Sequence, residues 1–122
     1  MAGIYIHVPF CASRCIYCGF YTTTTLSSQD RLVRALCSEL DMRRDYLLDK
    51  AAPTSSITID TIYLGGGTPS QLSQENLLRL FDAIYNKVEQ VPTFHISPTA
   101  EVTMECNPDD LTPQFVQTIA RL

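Results

Sequence analysis

Apolar and polar residues alternate from Gly3 to Val8. Ile4, Ile6 and Val8 fall on one side and Tyr5 and His7 on the other, the period of a strand buried on one face. Pro9 ends it, having no N–H to donate. A helical period follows over residues 28 to 49, where Leu32, Leu36, Leu40 and Leu47, with Val33 and Cys37 beside them, make an apolar stripe. Arg31, Arg34, Asp41, Arg43, Arg44 and Asp45 make its solvated face. Ser27 and Ser28 are candidate N-caps, with Asp30 adding negative charge at the helix start. The Thr22–Thr25 run before them, β-branched throughout, reads as an extended connector.

Residues 53 to 56 read as a loop, and a second strand runs from Ile57 to Leu64 into Gly65-Gly66-Gly67-Thr68-Pro69-Ser70. A second helix spans about Ser73 to Val88, striped by Leu77, Phe81, Ile84 and Val88 and flanked by Leu78 and Tyr85. Gln90 to Thr99, with two prolines, reads as a loop, and Glu101 to Cys106 as the third strand. Asn107 to Asp110 forms a turn; Thr112 then caps, and Pro113 opens, a third helix.

Strands alternating with helices predict an α/β fold with a parallel sheet. Ligands in such folds sit at the carboxyl ends of the strands. All three post-strand loops carry unusual chemistry: cysteines, glycines, then Glu105 with Asn107-Pro108. The chain of 122 residues is the size of one domain, and its apolar content of 45% is enough for a packed core. A formal charge of −4 with no basic stripe does not point to nucleic acid. No apolar run has the length of a membrane span, and no basic leader precedes Ile4. These features predict a cytosolic protein.

The cysteine count is five, an odd number, and clustered thiols in a reducing compartment read as metal or redox groups. Cys11, Cys15 and Cys18 are spaced Cys-x3-Cys-x2-Cys. Three thiolates suit an iron–sulfur cluster. On a 4Fe–4S cube they leave one iron open, and an open position is how a metal site does chemistry. A zinc knot completed by His7 is the competing reading, although the spacing is unlike paired Cys-x2-Cys zinc sites. The three glycines are either a plain turn or a rim where a ligand approaches the backbone; they match neither a P-loop nor the dinucleotide fingerprint. Glu105 is either solvated or functional, Tyr5 and His7 either core or cofactor-facing. Tyr17 and Phe20 either shield a cluster or pack, and Arg14 is either solvated or offsets a cluster's charge. His95 reads as surface, and Cys37 and Cys106 as packing residues.

The run Tyr5-x-His7-x-Pro9-Phe10-Cys11-x3-Cys15-x-Tyr17-Cys18, then Gly65-Gly66-Gly67-Thr68-Pro69-Ser70, then Glu105-Cys106-Asn107-Pro108, resembles the radical S-adenosylmethionine (SAM) superfamily. Within it, the match is to the branch of oxygen-independent coproporphyrinogen III oxidase and the HemW-type heme chaperones. The resemblance implies a 4Fe–4S cluster on Cys11, Cys15 and Cys18, with SAM on the fourth iron. Electron transfer from the cluster would break the sulfonium C–S bond and give a 5′-deoxyadenosyl radical, a step that belongs to the cofactors. Tyr5, Gly66, Gly67, Thr68 and Glu105 would contact SAM, and Tyr17 would lie near its adenine. An electron donor such as flavodoxin or ferredoxin is implied as a partner.

The oxidase branch typically has a further cysteine two residues after the third; here that residue is Phe20. It also extends further before the tyrosine that Tyr5 matches. Both differences favour the chaperone branch, in which heme is cargo handed to hemoproteins. The alternative is an oxidase that decarboxylates coproporphyrinogen III to protoporphyrinogen IX in porphyrin biosynthesis, and a structural zinc module is the third reading. The resemblance further implies that residues 1–122 are the N-terminal part of a radical SAM core domain, the first three β/α units of a partial (β/α) barrel. The rest of the barrel and a C-terminal domain would be absent, which would leave the third strand with an unpaired edge and exposed apolar surface.

Overall fold

A computed structural model describes residues 2–47, 56–87 and 94–122. Three strands, β1 (Ala2–Val8), β2 (Ile57–Gly66) and β3 (Phe94–Met104), form one parallel sheet in the order β1-β2-β3. Helices α1 (Gln29–Met42), α2 (Gln74–Asp82) and α3 (Pro113–Ile119) follow the strands in turn. The predicted parallel α/β architecture is therefore present.

The alternation in β1 sets the two faces of the sheet. Ile6 and Val8 join Ile59, Ile62 and Leu64 of β2 on the buried face, against Val33 of α1 and Leu77, Leu80, Phe81 and Ile84 of the α2 segment. Cys37 packs at the edge of this core, as its place on the stripe predicted. The opposite face carries Tyr5, Tyr63, Glu101 and Glu105, all exposed. Among the described residues β1 and β3 each pair only with β2, so both are edges. Val102 of β3 is 45% exposed, in line with the expected uncovered edge.

Several boundaries depart from the sequence reading. Helix α1 ends at Met42 rather than residue 49; beyond it the chain tightens into turns, with Tyr46 N–H donating to Arg43 O at 2.8 Å. Met42 and Tyr46 are exposed there, so no packing supports a continued helix. Residues 48 and 49 lie outside the described residues, as do 53–55, Val88 and 90–93. Strand β3 begins at Phe94, inside the stretch read as a loop. Buried Phe94 pairs with Ile57 and Ile96 with Ile59. Pro98 is accommodated because the register shifts there, from the Ile59–Ile96 pair to the Thr61–Glu101 pair; a bulge needs no ladder N–H. His95 is exposed as expected, but on a strand.

The caps are mixed. Ser73 accepts from Asn76 N–H at 3.2 Å and Thr112 from Phe115 N–H at 3.2 Å. Ser28 holds the N-cap position of α1, yet its hydroxyl donates backward to Thr25 O at 2.8 Å, closing a 3-10 turn over Leu26–Ser28. α2 runs on into a π-helical turn, Ala83–Lys87. No helix among the described residues is long and apolar enough to cross a membrane.

Leu77 and the adjacent Leu78 separate core from surface on α2, since Leu77 is fully buried and Leu78 is 46% exposed. Leu77→Ala is expected to cost about 2–5 kcal/mol of stability, and Leu78→Ala about 0.5 kcal/mol or less. Denaturant unfolding of the two variants checks the difference.

Candidate functional site

The carboxyl end of the sheet is assembled by three interlocking loops. The cysteine loop leaves β1 through buried Pro9 and Phe10 and returns at Thr23, one residue of the threonine connector. Thr23 N–H donates to Pro9 O at 2.8 Å, and Cys11 N–H donates to Thr23 O at 3.0 Å. The loop is thus pinned at its neck. Within it, Cys18 N–H donates to Cys15 O at 3.2 Å.

The glycine segment locks onto that neck. Gly67 N–H donates to Val8 O at 2.8 Å, and Thr68 N–H to Phe10 O at 2.6 Å. Thr68 Oγ1 donates to Cys11 Sγ at 3.5 Å. A Cβ at Gly67 would stand 2.8 Å from the Pro9 carbonyl carbon and from Phe10 O, so backbone meets backbone where only hydrogen fits. Gly66 has φ +115°, a conformation suited to glycine, and a Cβ there would stand 2.6 Å from the His7 ring. The triplet is therefore a close-packed junction. The N–H groups of Gly66, Gly67 and Thr68 are all engaged inside the protein rather than standing open.

Glu105 closes the third side. Its N–H donates to Leu64 O at 3.0 Å, Gly66 N–H donates to its Oε2 at 3.1 Å, and Tyr63 Oη donates to its Oε1 at 2.8 Å. Tyr63 stacks on Tyr5, with centroids 6.0 Å apart. Tyr5 Oη pairs with His7 Nδ1 at 3.1 Å, and His7 Nε2 with Tyr21 O at 3.4 Å. A carbonyl only accepts, so Nε2 is the donor to Tyr21 O. One polar and aromatic chain thus crosses all three strands on the open face.

Behind this chain, Asp110 ties the third loop to the second. It accepts from Ser70 Oγ at 2.6 Å and from Gln71 Nε2 at 2.8 Å, while Ser70 Oγ accepts from Asn107 N–H at 3.0 Å. Gln29 of α1 joins from the other side, donating to Gln71 O at 2.7 Å.

The predicted residues fall into two groups. Tyr5, Gly66, Gly67, Thr68, Glu105 and Cys11 gather at the carboxyl rim through the contacts above. Cys15, Cys18 and Tyr17 lie further out on the loop. Hydrogen bonding toward Cys15 first, then the Cys15 charge, desolvation and the Cys18 charge hold the Tyr17 phenol above its ordinary titration. Tyr17 and Phe20 are exposed, at 87% and 68%, so neither packs on the described core. Arg14 is exposed as well. Cys106 is half-buried, its thiol pushed up by burial and then by Asp110.

Three thiolates are a donor set that would suit an iron–sulfur cluster. Cys11 and Cys18 are half-buried and Cys15 is exposed. The His7 ring, the fourth ligand of the zinc alternative, is engaged by Tyr5 and Tyr21. A 4Fe–4S cube instead takes each thiolate on its own iron.

Tyr63 and Asp110 are given no role by the sequence, and Ser70 enters only as the end of the glycine motif. Tyr63 was within reach: two positions before Gly65 in β2, it shares the strand face that points toward Tyr5. Ser70 and Asp110 carry no local periodic signal.

Residues 5–122 match the family described as the radical SAM superfamily. The chain is 40% identical over 96% of its length to the heme chaperone HemW of Mycobacterium tuberculosis. It is 35% identical over 84% of its length to an anaerobilin synthase of Escherichia coli O157:H7, and 30% identical over 97% to an oxygen-independent coproporphyrinogen III oxidase of Bradyrhizobium diazoefficiens. It covers 28%, 21% and 24% of those proteins, about a quarter of their length. In fold it is similar to the solved structure of coproporphyrinogen III oxidase from Escherichia coli, a radical SAM enzyme. The TM-score is 0.78 at 22% identity, over 98% of this chain and 25% of that one.

The Tyr63–Glu105 bond makes a pH prediction. Bonding to Glu105 first, then desolvation and the charges of Glu105 and Tyr5, hold the Tyr63 phenol above its ordinary value of 10.0. The folded state thus favours the protonated phenol. That contribution is complete below the unfolded value of about 10 and is lost as pH rises through the raised folded value. In Glu105→Gln the Tyr63 titration is expected to move down toward the ordinary value, as read by tyrosine ring NMR. An unmoved titration would remove Glu105 as its cause.

Proposed function

The chain belongs to the radical SAM superfamily, and from that premise we propose that it is the N-terminal part of the radical SAM core of a heme chaperone, a cytosolic protein that binds heme and transfers it to hemoproteins. Cys11, Cys15 and Cys18 hold the 4Fe–4S cluster. Tyr5, Gly66, Gly67, Thr68 and Glu105 contact SAM, with Tyr17 near the adenine. When bound, cluster and SAM supply one-electron chemistry, fed by a flavodoxin- or ferredoxin-type donor. This chain's residues bind and orient: the pinned neck at Pro9 and Thr23 sets Cys11 beside the glycine junction, and Glu105 presents a fixed carboxylate at the same rim.

The observation that carries the chaperone reading is Phe20. Where the oxidase branch is expected to add a cysteine, this loop offers an exposed aromatic ring. The higher identity to the mycobacterial chaperone than to the Bradyrhizobium oxidase supports it.

Anaerobic reconstitution tests the reading. The expected result is bound iron and acid-labile sulfide, stable heme binding with transfer to an apo-hemoprotein, and no decarboxylation of coproporphyrinogen III. Decarboxylation without heme retention would replace the chaperone by the oxidase. Zinc, with no iron or sulfide, would replace both by a structural metal module.

A further inference from the structure

Resting on the reading of Glu105 as a cofactor contact, we propose that Tyr63 is a positioning residue that fixes the Glu105 carboxylate for SAM binding. Tyr63 lies on the middle strand, level with Tyr5 on one side and Thr103 on the other. Its ring is held by the stack on Tyr5, at an interplanar angle of 27°. From there its hydroxyl reaches Glu105 Oε1 at 2.8 Å, while Gly66 N–H takes Oε2 at 3.1 Å. Two donors on different oxygens fix both the position and the plane of the carboxylate. A strand-end glutamate otherwise samples several rotamers, and ordering it on binding would cost affinity.

The donor chemistry fits this role. Both donors are neutral, so neither competes as a countercharge with a cationic ligand group. Each takes one of the roughly four lone-pair sites on the two oxygens, which leaves acceptor capacity on both for the ammonium or hydroxyl groups of a ligand. Gly65 belongs to the same device. A Cβ there would stand 2.7 Å from the Tyr63 ring and 3.2 Å from Glu105 Oε2, so any side chain would push the pair apart. The first glycine of the triplet makes room for this clamp, as the third makes room for the cysteine-loop neck.

A double-mutant cycle on SAM affinity tests the inference, using equilibrium dialysis of the anaerobically reconstituted protein with Tyr63→Phe, Glu105→Gln and the double variant. Phenylalanine keeps the ring and its stack and removes only the hydroxyl, so the variant is expected to stay folded, at most slightly less stable, with its iron content unchanged. Tyr63→Phe is expected to weaken SAM binding about tenfold, the scale of one hydrogen bond to a charged group. Glu105→Gln is expected to weaken it at least as much, and the double variant no further than Glu105→Gln alone. Independent, additive losses would overturn the positioning role, as would a Glu105→Gln loss with no effect of Tyr63→Phe. No effect of Glu105→Gln would instead overturn the reading of Glu105 as a cofactor contact, and this inference with it.

Discussion

The site depends on one steric constraint: the backbone leaving β2 must pass against the backbone leaving β1. Gly67 lies so close to Pro9 and Phe10 that a Cβ has no room, and the approach lets Gly67 and Thr68 donate to Val8 O and Phe10 O. These bonds carry the pairing of β1 with β2 past the end of the sheet, where parallel strands would otherwise diverge into separate loops. The cysteine loop is therefore not a free appendage. Its neck is tied by two backbone bonds to Thr23 and by the Thr68 N–H to the glycine junction, and the thiols hang from a fixed base.

The same junction sorts the sheet's two faces. Beneath it, Val8, Ile62 and Leu64 are fully buried against the helices, and this packing supplies the stability. Above it, the tyrosines, His7 and Glu105 stay open and bond laterally from strand to strand. A parallel sheet is commonly covered on both faces. Here the polar and aromatic chain gives the open face internal partners, and the chemistry is gathered on that face. The clamp of Ser70 and Gln71 on Asp110 then fixes the third loop to the second, so Glu105 and the glycines form one unit.

Much of this was legible in the sequence, for physical reasons that differ by element. The alternation in β1 and the stripes of α1 and α2 announced themselves because burial on one face imposes a period. The cysteine spacing, the triplet glycine and Glu105 stood out as residue types with few structural uses at strand ends. What was not legible depended on partners distant in the chain. The first half of strand β3 looked like a loop because Pro98 falls in it, yet Ile57 and Ile59 recruit Phe94 and Ile96, and a bulge absorbs the proline. Helix α1 stopped early because Met42 and Tyr46 found no core to pack on. The engagement of the glycine N–H groups was also hidden. The sequence suggested an open backbone rim, whereas the packing spends those donors on β1, on the cysteine-loop neck and on Glu105.

The central claim is that the glycine junction and the cysteine-loop neck are one structural unit, and residue-resolved amide hydrogen exchange tests it most directly. The account predicts that the Cys11, Thr23, Gly67 and Thr68 amides exchange slowly together, and that Gly67→Ala accelerates all of them while the amides at the centre of β2 stay protected. Cys11 and Thr23 amides that keep their protection in Gly67→Ala would contradict it, because the loop would then be held without the junction.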